Sequence, residues 1–252
     1  MAFGALIIGD EILSGKREDK HLRQVIATLK ARGLDLAWAD YLGDEPERIT
    51  ATLRRTMQGD DIVFSFGGIG ATPDDYTRQC AAMASGRALG RHPEASRLIE
   101  ARFGAEAYPN RILMAELPRD CELIPNPVNQ IAGFSIAHHH FLPGFPSMAW
   151  PMMEWVLDQR YPHLFRTDPP IELALIAIGA REGNLIPLMN DFVTRYPMLR
   201  FSSLPSFGDD TLPAHIEFGL RGPRAEVETA MAEWAALMQE QGFECHPKLL
   251  SA

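Results

Sequence analysis

The sequence predicts an α/β protein in two parts: a first domain over residues 1–166, built on a parallel sheet with helices on both faces, and a small α+β domain over 171–252. Three observations predict it. Apolar runs alternate with segments of helical spacing through the first 165 residues, an order that makes parallel strands with helical crossovers. The run LFRTDPPIE at 164–172 carries paired prolines and separates stretches of different charge density. Beyond it the chain reads strand, helix, strand, strand, helix, strand, the order of a split βαβ domain.

Each element has its own signal. Residues 3–9 form an unbroken apolar run suited to a strand buried on both faces. Leu22, Val25, Ile26 and Leu29 fall at helical spacing, and Gly33 stands where that helix stops. A second strand is expected over 34–42, then a helix marked by Ile49, Leu53 and Met57, then a third strand over 61–66. Thr72 and Pro73 have the form of an N-cap and first helical residue, so a long helix carrying Tyr76, Cys80 and Met83 is expected to begin there. More helix is expected over 93–107. In the second part, strands are expected over 171–179, 198–204 and 214–220, with a short one over 243–246. Helices are marked by Leu185, Leu188, Met189, Phe192 and Val193, and by the segment 227–241.

Composition narrows the function classes. The chain has a formal charge of −9, of which residues 1–166 contribute −3 and residues 167–252 contribute −6. A nucleic-acid partner, which needs clustered Lys and Arg, is not expected. No apolar run approaches the roughly 20 residues of a membrane span, and the amino terminus lacks a basic region before its apolar run, so a cytoplasmic protein is expected. Cys80, Cys121 and Cys245 form no CxxC pair and read as reduced core thiols. His138, His139 and His140 are adjacent; on a strand they point alternately to opposite faces and do not chelate one ion.

Parallel sheets bind ligands beyond the carboxyl ends of their strands. That rule puts Asp10, Glu11, Asp44 and the segment 67–75 on one rim. The loop Gly67-Gly68-Ile69-Gly70 lies between a strand and a helix, where backbone N–H groups can approach an anion. It lacks the Gly-Lys-Ser/Thr of a Walker A loop and the spacing of the dinucleotide fingerprint, and a plain tight turn is the other reading. Asp74 and Asp75 read either as first-turn acids of a helix or as a metal or proton-transfer pair, since a hard cation takes one or two carboxylates together with substrate phosphates. With Asp10, Glu11 and Asp44 they put five carboxylates on one rim, the arrangement expected of a site. His21, early in its helix, is near enough to reach a ligand there. No GxSxG or HExxH motif is present.

Four blocks in register, IIGDEILSGKREDKHLRQVIATLKARG, GGIGATPDDYTR, PNPVNQIAGF and FLPGFPSMAWPMME, resemble molybdopterin-binding-like domains. The similarity is greatest to the amino-terminal region of competence/damage-inducible CinA-type proteins. The resemblance implies a three-layer α/β/α domain with a mostly parallel sheet, whose glycine loop receives a ligand phosphate. That ligand is molybdopterin in molybdenum-cofactor relatives. In CinA-type relatives the site is associated with divalent-metal-dependent hydrolysis of the pyrophosphate of ADP-ribose.

Carried onto this chain, the resemblance implies phosphate binding by Gly67, Gly68, Gly70 and Thr72, with Gly144 and Ser147 of the 143–147 segment on the opposite wall. It matches Asp44 and Asp75 to acids that matter in the family, with Asp74, Asp10 and Glu11 nearby; catalytic roles are expected for Asp44, Asp74 and Asp75, and metal ligation by Asp10, Glu11 and Asp75, with Mg²⁺ or a similar ion. Self-association into a homo-oligomer is expected. Three positions depart from the pattern: Phe66 where Thr is usual, Ala71 for a common proline, and His21 for Asn. The deamidase domain of many CinA-type proteins has no counterpart in these residues, so nicotinamide-nucleotide deamidation is not expected. A non-catalytic pterin or nucleotide carrier, and a scaffold that associates through the acidic small domain, are the alternatives to an enzyme.

Overall fold

A computed structural model describes residues 1–209 and 212–248. The chain divides into two compact units, Met1–Thr167 and Asp168–Ala252.

The first unit begins β1 (Phe3–Ile8), α1 (Asp10–Leu13), α2 (His21–Lys30), β2 (Leu36–Leu42), α3 (Pro46–Thr56), β3 (Ile62–Phe66) and α4 (Thr77–Ser85). It continues through β4 (Leu89–Arg91), α5 (Pro93–Phe103), β5 (Glu116–Pro118), β6 (Glu122–Ile124), β7 (Gly133–Ile136), β8 (His139–Leu142) and α6 (Pro146–Arg160). The main sheet has the order β2-β1-β3-β8-β7-β6. Its first four strands are parallel; β7 and β6 join antiparallel. Every residue of β1 is buried, as expected of a strand covered on both faces. Its side chains alternate between two cores: Leu6 and Ile8 pack with Leu53 and Val63, while Ala5 and Ile7 pack with Phe64, Phe66 and Val156. Two cores, one on each side of a sheet, make the three-layer architecture.

The carboxyl ends of β1, β2, β3 and β8 meet on one rim, because the four strands run parallel. Asp10 and Glu11 belong to the single helical turn α1. The helix after the glycine loop starts at Thr77, not at Thr72-Pro73. Thr72 instead closes a tight turn: Asp75 N donates to Thr72 O (3.0 Å), and Thr72 N donates to Asp75 Oδ2 (2.8 Å). Thr77 N then reaches back to Gly68 O (3.0 Å), so the chain folds onto its own loop before the helix begins.

The histidine run is structural. His138 sits in the β7–β8 turn, His139 Nε2 bonds Thr56 Oγ1 (2.9 Å), and His140 is held between Ser135 (2.8 Å) and the Tyr161 hydroxyl (2.8 Å). Burial, ahead of the neighbouring His138, pushes His139 down to about 4, so it is neutral at pH 7. Cys80 and Cys121 are buried and Cys245 half-buried, all as free thiols.

The second unit comprises β9 (Ile171–Ile178), α7 (Glu182–Arg195), β10 (Arg200–Ser206), β11 (His215–Gly222), α8 (Arg224–Glu240) and β12 (Cys245–Lys248). Its sheet is antiparallel, ordered β10-β11-β9-β12. The split βαβ order stands, and the residues after 248 lie outside the described part. Phe192 from α7 packs edge-on against Trp234 from α8, with ring centroids 4.8 Å apart. Both rings are fully buried, and they join Phe218 in the core. Among the described residues no helix is long and apolar enough to cross a membrane.

Candidate functional site: a cleft on the rim of the parallel sheet

The loop after β3 depends on its glycines for packing as much as for any ligand. Gly67 has φ +105°, and a Cβ there would lie far inside van der Waals contact with the Ile8 carbonyl oxygen. Gly68 has φ +69°, and its Cβ would collide with Thr77 Oγ1. Both positions therefore require glycine. Gly67 N donates to Leu142 O (3.0 Å), which removes it as a phosphate donor. Among the described residues the N–H groups of Gly68, Ile69 and Gly70 have no backbone acceptor, and these form the open part of the loop. From beneath, the buried guanidinium of Arg78 donates to Gly70 O (2.8 Å) and to the carbonyls of Leu113 (2.6 Å) and Glu116 (2.9 Å). Sequence reasoning passed over Arg78; an arginine shortly beyond a glycine loop was the available signal.

The acids come together unequally. Asp10 and Asp44 lock the ends of β1 and β2: Asp10 N donates to Asp44 Oδ2 (2.9 Å) and Asp44 N to Asp10 Oδ1 (3.1 Å). Burial first, and then the charges of Asp10, Glu11 and Asp74, hold the Asp44 carboxyl above the usual carboxylate range. Asp75 turns back onto Thr72, accepting from its N–H and its hydroxyl. Among the described residues no three His, Cys, Asp or Glu side chains form a group able to hold a metal ion. Asp10, Glu11 and Asp75 are thus not assembled as one ready-made ligand set.

Three hollows lie side by side along this rim. The middle one, about 150 Å³, is lined by Gly67, Gly68, Thr72 and Gly144 and by the four carboxylates of Glu11, Asp44, Asp74 and Asp75. Arg17 is the one cation on its wall among the described residues. A hollow of about 420 Å³ lies to one side, against His21, Phe66 and Pro146. Another, of about 380 Å³, lies to the other side, against Ile69, Gly70, Asn126 and Met148. Gly144 and Phe145 border all three. Ser147, expected on the wall, lines none of them; it sits in the first turn of α6, while exposed Phe145 takes the wall position. Asp10 is also absent from the middle cleft, and Gly70 faces the side hollow.

His21 and Phe66 touch. Their rings stack with centroids 4.5 Å apart, and Phe66 is buried in the core beneath the imidazole. His21 Nε2 bonds the Gly144 carbonyl oxygen (3.0 Å), so the imidazole ties α2 to the wall of the cleft.

Over residues 4–163 the chain matches the family described as a probable molybdopterin binding domain. The chain belongs to that family. Among known proteins, it is 35% identical to a CinA-like protein of Geobacter metallireducens over 79% of its own length and 50% of that protein's. It is 28% identical to the NMN amidohydrolase-like protein YfaY of Escherichia coli K12, over 94% of this chain and 60% of that one. It therefore spans half to three-fifths of the length of these relatives. Among solved structures, CinA of Thermoplasma acidophilum, a protein of unknown function, superposes with a TM-score of 0.58 at 26% identity, covering 62% of this chain and 96% of that one. In this CinA-like chain the glycine loop, the carboxylates of Glu11, Asp44, Asp74 and Asp75, and Gly144 together line the rim cleft.

Proposed function

We propose that the rim cleft binds a small molecule through a diphosphate and hydrolyses that diphosphate with the help of a divalent cation, an ADP-ribose-like diester being the substrate class. One observation carries the reading: a small, acid-lined, loop-bordered cleft lies between two hollows more than twice its size. A diphosphate with a bulky group on each side matches that sequence of volumes. Glu11, Asp44, Asp74 and Asp75 crowd like charges around the cleft, which repels a bare phosphate and suits a cation shared between carboxylates and phosphate oxygens. A cation brought in with the diphosphate would be met by Asp74 or Glu11 together with the phosphate oxygens, and would neutralise phosphate charge and acidify a water.

The chain's own groups do the rest. Gly68 and Ile69 offer N–H groups to phosphate oxygens. Gly67 contributes backbone to the cleft wall. Asp44, its carboxyl already raised, accepts the proton of the attacking water. The water oxygen bonds to one phosphorus as the bridging P–O bond breaks, leaving two phosphate monoesters. Phe145, 58% exposed, offers a face for a ring of the ligand.

The second reading is a non-catalytic carrier of a pterin or nucleotide, including a role in molybdenum-cofactor biosynthesis. The Asp10–Asp44 lock favours it, because it ties down the carboxyl that catalysis would use. Isothermal titration with ADP-ribose, in chelator and then in Mg²⁺, tests whether the cleft binds at all. Saturable binding that tightens with Mg²⁺ and weakens in Phe145→Ala is expected. No heat under either condition would overturn the ligand assignment.

A further inference from the structure

At the opposite end of the parallel sheet a separate hollow of about 410 Å³ opens beneath the β7–β8 turn, beside the C-terminal ends of α3 and α4. Its ionisable lining residues are Arg54, Arg87, His138 and His139, and among the described residues no carboxylate lines it. In a chain of net charge −9, such a concentration of one sign marks a place that attracts anions. The floor is apolar, with Met57 and Ile136, and the volume falls within the range of small-molecule sites.

The cations are held in different ways. Arg87 is fixed: its Nη1 donates to the carbonyls of Arg119 (3.0 Å) and Asp120 (2.7 Å). Its Nε and Nη2 have no acceptor among the described residues, which leaves an oriented edge of the guanidinium open. Arg54 has no ion pair among the described residues, whereas its neighbour Arg55 pairs with Asp40 (2.6 Å). A helix C-terminus accounts for a cation at Arg54 or Arg55, but not for Arg87 and His138 meeting it from other elements. His138 follows Ala137 in the two-residue turn between β7 and β8, whose geometry accounts for the φ of +49° at Ala137. His139, bonded to Thr56, contributes wall and no charge.

We propose that this hollow is a second anion site that binds the phosphate of a small phosphate monoester, with Arg87 as the fixed fork and Arg54 and His138 closing on the remaining oxygens. Guanidinium groups suit it because their planar forks match phosphate oxygens. The site is independent of the chemistry proposed for the rim.

The test uses the full chain with its histidines labelled at Cε1, titrated with inorganic phosphate at constant ionic strength and followed by NMR. A saturable shift of the His138 signal is expected, with no comparable shift from chloride. Affinity should fall about tenfold in Arg54→Gln, as for loss of a charge-assisted contact. Arg87→Gln should lose binding outright; should that variant fail to fold because its carbonyl contacts are gone, exposed Arg54 still provides the test. No saturable shift at His138, or equal affinity in Arg54→Gln, overturns the proposal.

Discussion

The imidazole of His21 lies on the ring of Phe66, 4.5 Å between centroids and 23° between planes, while its Nε2 bonds Gly144 O at 3.0 Å. Burial holds the imidazole below its ordinary pKa, so it is neutral at pH 7 and its Nε2 carries the proton donated to the carbonyl. The two stacked rings therefore act as one unit that braces the cleft wall.

That pairing predicts coupling. Phe66→Thr should destabilise by about 3 kcal/mol, as for loss of a buried ring, and His21→Asn by less. In a double-mutant cycle followed by urea denaturation, the two should show an interaction of about 0.5–1.5 kcal/mol beyond additivity. Strict additivity would show the stack to be energetically idle.

Gly67→Ala tests the claim that the loop needs glycine for packing. The new Cβ would meet the Ile8 backbone oxygen and φ would be +105°, and neither strand can yield without disturbing the sheet. A loss of about 2 kcal/mol or more is expected, measurable without any ligand. A variant as stable as the parent would remove that claim.

Asp44→Asn should alter stability in a pH-dependent way. A carboxyl held above its unfolded value binds more protons when folded, so its contribution improves as pH falls and is least favourable at neutral pH. Asn removes that penalty while keeping an acceptor for Asp10 N. At pH 7 the variant should be more stable by a few tenths of a kcal/mol, because the group is largely solvent-screened. The advantage should vanish as pH drops below the ordinary aspartate range. Thermal melts across that range would show it; an advantage that grows toward acid pH would contradict the sign.

The parallel core was readable because apolar runs such as 3–8 and 62–66 are buried on both faces and each is followed by a glycine. The strands β4 to β7 were not read, because three or four residues carry too little periodicity to stand out. Thr72-Pro73 misled because a capping threonine and a threonine closing a tight turn over Asp75 look alike in sequence. Ser147 and Phe145 exchanged roles for a related reason: spacing places the segment beside the cleft, while the turn into α6 decides which side chain faces it. The rim acids were legible as a group, but their mutual locks depend on contacts between residues 34 apart, as in Asp10 and Asp44.

Product release tests directly whether the cleft cleaves a diphosphate. The purified chain incubated with ADP-ribose and Mg²⁺ or Mn²⁺ should release AMP, read by chromatography, and Asp44→Asn should lower the rate by about 100-fold or more, as for loss of a general base. No AMP with either ion, or release undiminished in Asp44→Asn, would contradict the account.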